Sequence, residues 1–171
     1  MTELLLVRHG ETVGNVAQVL QGQMQGALND NGRHQAEMVA DQLRDAHIDV
    51  FVSSDLQRSL DTCRIIATSL GRGDEEIFTT PLLRERDWGD FTGMLIPDLK
   101  DKIWPDNVES LGQMKDRARQ FMQLMRKRYP GKTVLAVGHG IINKAVQSVY
   151  FNKPMNEIQK MSNAEVRRFE L

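Results

Sequence analysis

Two short stretches of the chain end in the same way. Leu6-Val7-Arg8-His9-Gly10 and Ala136-Val137-Gly138-His139-Gly140 each run from apolar residues straight into His-Gly. A short, wholly apolar run suits a strand buried on both faces of a parallel sheet. Ligands of open parallel sheets bind outside the carboxyl ends of the strands. Two such strands side by side would aim both imidazoles into one crevice. The glycine after each histidine is expected to let the backbone turn sharply and approach a ligand. A further strand, Asp49 to Ser53, leads into a helix whose first turn carries Arg58. Free N–H groups at a helix start and a fixed guanidinium both favour an anion. Arg8 places a second guanidinium beside His9. Two arginines and two histidines around the mouth of a parallel sheet suit a tetrahedral oxyanion such as phosphate.

The elements that must position these residues are legible from periodicity. Ala36, Val39, Ala40 and Leu43 predict a helix over 33–46, capped by Asn29 or Asp30. Leu56, Leu60, Cys63, Ala67 and Leu70 predict one over 56–70, with N-cap candidates in Ser53-Ser54-Asp55 and a stop at Gly71. A short strand is expected at 77–79 and another extended piece at 82–85. Residues 88–107, rich in Gly, Asp and Pro, are expected to loop. Ser110 with Gln113 matches a capping box ahead of a long amphipathic helix that ends near Tyr129-Pro130-Gly131. A helix over 141–150 and an edge strand over 164–171 complete the reading. Strands alternating with helices imply a three-layer α/β/α fold, with a mostly parallel sheet and helices on both faces.

Composition bounds the function. The 171 residues correspond to about one domain, taken as 1–171. The charge balance, 22 Lys and Arg against 23 Asp and Glu, gives no support for a nucleic-acid binder. Cys63 is the only cysteine, so no intramolecular disulfide and no finger-type metal site forms. No apolar run approaches a membrane span, and the start of the chain lacks the pattern of a signal peptide. A cytoplasmic location is therefore expected, and oligomeric state is unread. His34 and His47 read as surface residues, Cys63 as core, and Met114, Met122 and Met125 as core or edge filler. Lys115, Arg117, Arg119, Arg126, Lys127 and Arg128 read as a solvated basic helix face.

The motifs together resemble the histidine phosphatase superfamily, the phosphoglycerate-mutase-like proteins. The resemblance begins in Leu6-Val7-Arg8-His9-Gly10-Glu11-Thr12 and passes through Asn15, Gln21-Gly22, Leu28, Gly32 and Gln35-Ala36. It continues in Ser53-Ser54-Asp55-Leu56-Gln57-Arg58, in Leu83-Arg84-Glu85 followed by Gly89, and in Val137-Gly138-His139-Gly140. It implies that His9 is the nucleophile that becomes a phosphohistidine. Arg8, Arg58 and His139 would form the phosphate pocket, with Asn15 and the Gly140 backbone as accessory contacts. Gln21 and Gly22 would border it. Glu85 would be the proton donor, and Trp88 would stand on the substrate side. No cofactor is implied.

Physical chemistry supports these roles independently. An imidazole attacks phosphorus only when neutral, and Arg8 and Arg58 are expected to keep His9 so. A backbone carbonyl on the other ring nitrogen is expected to orient it. Fixed cations stabilise the transferring phosphoryl oxygens. A carboxylic acid kept protonated by burial can supply the leaving group's proton, and can later activate water. Glu11, Asp87 and Asp90 are alternative acids. The reading is a phosphomonoesterase acting on a small phosphorylated metabolite. A phosphomutase is the alternative, with Lys100 and Lys102 available to a small lid, and a non-catalytic phosphate-binding module is another. A metal hydrolase using His9, His139 and nearby carboxylates fits the flanking arginines less well. A two-histidine phosphoesterase is excluded, because neither His9-Gly10-Glu11 nor His139-Gly140-Ile141 has His-x-Thr or His-x-Ser. The chain departs from the family in Thr92-Gly93, where Glu-Gly is frequent, and residues 94–109 are expected to form the specificity wall.

Overall fold

In the computed structural model, which describes residues 1–171, the apolar runs around the two histidines are neighbouring parallel strands. β1 (Glu3–Arg8) pairs with β4 (Thr133–Gly138) over its whole length, Leu4 opposite Val134 and Arg8 opposite Gly138. β2 (Val50–Ser53) lies parallel on the other side of β4, and β3 (Ile77–Thr79) parallel beside β2. β5 (Val166–Glu170) closes the far edge antiparallel to β1, giving the order β3-β2-β4-β1-β5.

Alternation along the strands explains the helices on both faces. Leu4, Leu6, Val134 and Ala136 pack with α4 (Leu111–Arg128) and α5 (Gly140–Phe151), through Met114, Ala118, Phe121 and Ile142. Leu5, Val7, Leu135 and Val137 pack with α2 (Asp30–Gln42) and α3 (Gln57–Ser69), through Ala36, Val39, Cys63 and Ile66. The chain thus leaves β1 towards one face and β4 towards the other. A crevice opens between two such strands, outside their carboxyl ends.

Most of the expected elements form. Asn29 caps α2 by accepting the Gly32 N–H at 2.7 Å. The Ser110 capping box is complete, with Gln113 N–H donating to Ser110 Oγ at 3.1 Å and Ser110 N–H to Gln113 Oε1 at 2.8 Å. A second capping box at Thr12 and Asn15 builds the one-turn α1 (Val13–Val16). His34 and His47 are exposed, Cys63 is fully buried, and Met114, Met122 and Met125 lie in the core.

Two local expectations fail. The helix expected from Ser53-Ser54-Asp55 is capped at Leu56 with no side-chain cap bond. The segment 82–85 is not extended: Pro81–Leu83 is a 3-10 turn, started by the Thr80 hydroxyl accepting the Leu82 N–H at 3.2 Å. In both places the side chains that would have set local structure are held by partners distant in sequence.

Candidate active site

The pairing of Arg8 with Gly138 sets His9 and His139 at the same level, just beyond the strand ends. Their ring centroids are 5.1 Å apart. His9 is buried, with Nδ1 2.7 Å from the Gly10 carbonyl oxygen. A carbonyl only accepts, so Nδ1 carries the hydrogen and Nε2 is left with its lone pair. Burial, the largest influence, together with the Arg58 and Arg8 charges pushes the His9 pKa down to about 3 against the opposing Gly10 bond. The arginines credited from the sequence thus act in the expected direction but rank below desolvation.

His139 is fully buried, with Nε2 2.7 Å from Ser54 Oγ. Ser54 Oγ accepts the Leu56 N–H at 3.3 Å, so its own hydrogen is free to point at His139 Nε2. With Ser54 as the donor, the hydrogen of the neutral ring sits on Nδ1. Burial, followed by the nearby His9, Arg58 and Arg8, holds His139 well below the usual histidine range. Ser54 is therefore a site residue, although the sequence suggested only a helix cap for it.

Arg58 projects from the first turn of α3 and is 1% exposed. Its Nη1 donates to Met24 O at 2.7 Å and its Nη2 to Gly22 O at 2.6 Å. Arg8 Nη1 donates to Met161 O at 2.8 Å. Burial lowers the pKa of both arginines, Arg58 to about 10, while the Glu85 charge raises them. Three buried nitrogens around His9 have no protein partner: Arg8 Nε, Arg58 Nε and His139 Nδ1.

The accessory residues divide. Asn15 Oδ1 accepts from Thr12 N–H at 3.0 Å and Asn163 Nδ2 at 3.3 Å, which leaves its amide hydrogens as the available end. Asn163 also donates to the His9 carbonyl at 3.1 Å and was not flagged from the sequence. Gln21 is buried with its amide on the Thr12 hydroxyl, at 3.0 Å and 3.2 Å, so it braces α1. Gly22, at φ +53, offers Arg58 a carbonyl. Trp88 stacks edge-on against Trp104 with centroids 5.4 Å apart, over the Arg86 guanidinium.

The two His-Gly glycines serve close packing. Neither has a positive φ. A Cβ on Gly10 would lie 2.4 Å from Gly32 O, and one on Gly140 3.4 Å from Arg8 Nε. Gly10 is thus required by the first turn of α2, and the close approach there is backbone to backbone.

Glu85 comes to the start of α5. Its carboxylate accepts the Ile141 N–H at 3.0 Å, the Ile142 N–H at 3.0 Å and its neighbour Arg86 N–H at 2.9 Å. The other acids considered lie elsewhere. Glu11 Oε1 accepts from Asn29 at 2.9 Å, Asp87 Oδ1 from Gly89 N–H at 2.9 Å, and Asp90 Oδ1 from Asn107 at 2.9 Å. Arg117 is no part of a solvated face: its side chain is 17% exposed and turns in towards residues 82–85.

Comparisons with known proteins point to one family. Residues 4–171 match the model of the histidine phosphatase superfamily (branch 1). The chain is similar to a phosphoglycerate mutase-like protein 4 of Arabidopsis thaliana, 32% identical over 99% of this chain and 79% of that one. It is 33% identical to a metal-independent phosphoserine phosphatase of the same plant, over 85% of this chain and 67% of that one. Among solved structures it resembles a phosphoserine phosphatase of Entamoeba histolytica in complex with 3-phosphoglyceric acid. The TM-score is 0.87 at 26% identity, covering 99% of this chain and 91% of that one. No helix is long and apolar enough to cross a membrane. With two buried histidines at paired strand ends, two buried arginines beside them and a family match over nearly its whole length, the chain belongs to the histidine phosphatase superfamily.

Proposed function

We propose that the protein hydrolyses the phosphate monoester of a small metabolite through a phosphohistidine on His9. One observation carries this reading. A buried, neutral His9 presents a free Nε2 among three buried N–H donors that have no protein partner, Arg8 Nε, Arg58 Nε and His139 Nδ1. Unpaired buried donors are costly, and a tetrahedral oxyanion would satisfy them together. Phosphoric monoester hydrolysis is the reaction class of its phosphatase relatives.

The steps follow from the residues. His9 Nε2 attacks phosphorus, the bond to the leaving oxygen breaks, and Glu85, entering the step as the carboxylic acid, gives that oxygen a proton. Arg8, Arg58, His139 and Asn15 hold the three phosphoryl oxygens as charge redistributes. Glu85, now a carboxylate, takes a proton from water. That water displaces His9 from phosphorus and releases phosphate. The two guanidinium groups supply the fixed positive charge. The start of α5 adds helix N–H groups, and Ile141 and Ile142 donate to Glu85.

Phosphatase is favoured over mutase, because a mutase must shield its phosphohistidine from water with a lid, and between Glu85 and His139 the 18-residue α4 leaves little chain to build one. The test is hydrolysis of p-nitrophenyl phosphate with and without EDTA, by the wild type and by His9→Ala. Chelator-resistant turnover that vanishes in the variant is expected. Activity abolished by EDTA, or retained by His9→Ala, contradicts the mechanism. A requirement for a bisphosphate primer would reassign the protein as a mutase.

A further inference from the structure

Arg117, on α4, makes five hydrogen bonds with its five N–H donors. Nε and one Nη2 hydrogen go to the Glu109 carboxylate, at 2.7 Å and 2.8 Å. Nη1 donates to Leu82 O at 3.0 Å and to Arg84 O at 2.8 Å. The remaining Nη2 hydrogen goes to Glu85 O at 3.3 Å. Three backbone carbonyls of the segment 82–85 thus hang on one guanidinium.

Glu109 continues the frame on the far side of Glu85. Its Oε1 accepts the Asp87 N–H at 3.0 Å, and its backbone carbonyl accepts Arg86 Nε at 2.7 Å. Burial alone would push the Glu109 carboxyl up, but its bonds to Arg117 and to the Asp87 N–H hold it below the usual range. Gln23 adds a second donor to the Glu85 carbonyl at 3.2 Å. The carboxylate itself is bound to α5, through Ile141 and Ile142. Glu85 is therefore stretched between two helices, its backbone fixed to α4 and its carboxylate to α5.

We infer that Arg117, seated on Glu109, is a positioning residue for proton transfer by Glu85. The inference rests on the proton-donor role proposed above for Glu85. Proton transfer needs hydrogen-bond reach of the leaving oxygen, and a displacement of about 1 Å can cost on the order of 100-fold. All five Arg117 donors go to Glu109 and to the 82, 84 and 85 carbonyls, and its charge is the smallest of those acting on His139, so its loss should affect leaving-group protonation far more than phosphoryl binding. A lysine, with one point charge and no fork, cannot reach three carbonyls and a carboxylate at once.

Leaving-group basicity reads this directly. p-Nitrophenolate departs without a proton, phenolate needs one more, and an alkoxide needs one most. The experiment measures kcat and KM for p-nitrophenyl, phenyl and 2-glyceryl phosphates with the wild type, Glu85→Gln, Arg117→Met and Arg117→Lys. Glu85→Gln and Arg117→Met are each expected to lose about 30-fold or more in kcat/KM on the alkyl ester. On the nitrophenyl ester kcat/KM, which reports only the steps up to departure of the leaving group, should stay within about 3-fold, while kcat falls in Glu85→Gln because the same carboxylate activates water in the second step. Arg117→Lys should fall between Arg117→Met and the wild type. A selective loss in Glu85→Gln but an equal loss, or none, on all three esters in Arg117→Met overturns the positioning role and leaves Glu85 as the acid. No selective loss in Glu85→Gln overturns the acid and this inference with it. Should Arg117→Met fail to fold, Glu109→Gln takes its place: it releases the guanidinium from its anchor, and the same selective loss is expected.

Discussion

His9 owes its chemistry to its surroundings more than to its neighbours' charges. Burial is the larger influence holding the ring neutral, and the Gly10 carbonyl decides which nitrogen is free. His139 is set by the same logic from the other side, through the Ser54 hydroxyl. The Ser54→Ala variant leaves His139 Nε2 buried without a partner and the tautomer unfixed. A kcat loss of about 10-fold and a stability loss of about 1–3 kcal/mol are expected. Steady-state turnover and urea unfolding of the same preparation check both. An unchanged kcat would mean that the tautomer is fixed some other way. This contact joins residues 85 positions apart, so nothing local in Ser53-Ser54-Asp55 could announce it. The two histidines were readable because each sits at the end of an apolar run. Arg117 reads as part of a basic face because its helix neighbours Lys115, Arg119 and Arg126 are basic too. Its partners, the carbonyls of 82, 84 and 85, have no signature in a sequence.

Elements carry the site by close contact between backbones. The loop holding His9 is locked to the start of α2: Glu11 O accepts the Asn29 N–H at 3.1 Å, and Gln35 Oε1 accepts the Glu11 N–H at 2.9 Å. A Cβ on Gly32 would fall 2.0 Å from Glu11 O, with backbone and no flexible side chain in its way. Gly32→Ala is thus expected to destabilise by about 3 kcal/mol and to shift the His9 loop, despite alanine's better helix propensity. Chemical denaturation with a parallel activity measurement checks this. A stabilised, fully active variant would contradict the packing. The helix borders were legible where capping is local, as at Asn29 and at Ser110 with Gln113. The segment 82–85 was not, because Leu82, Leu83 and Arg84 carry no periodicity long enough to separate a 3-10 turn from a strand. Arg84 is fixed instead by paired bonds of 2.7 Å to Asp55.

At the scale of the whole molecule, a site built from buried neutral histidines makes the fold sensitive to acid. In the unfolded chain His9 takes up a proton near pH 6.5, whereas in the fold it does so only near 3. Between those values the unfolded state binds more protons, so stability falls as pH falls. Between pH 7 and pH 5 the His9 contribution amounts to about 2 kcal/mol. His139 adds to the loss in the same direction. Urea unfolding at the two pH values should show a clearly smaller difference for His9→Ala than for the wild type, and equal differences would contradict a buried neutral ring. The parallel core and its two helical layers were legible because β1 and β4 are apolar on both faces. The measurement that bears most directly on the whole account is the covalent state of His9 during turnover. Enzyme mixed with p-nitrophenyl phosphate, quenched within milliseconds into alkali and digested for mass analysis, should carry a phosphoryl group on His9, with none on His9→Ala. A phosphoryl group on another residue, or hydrolysis with no phosphoenzyme at all, would contradict it.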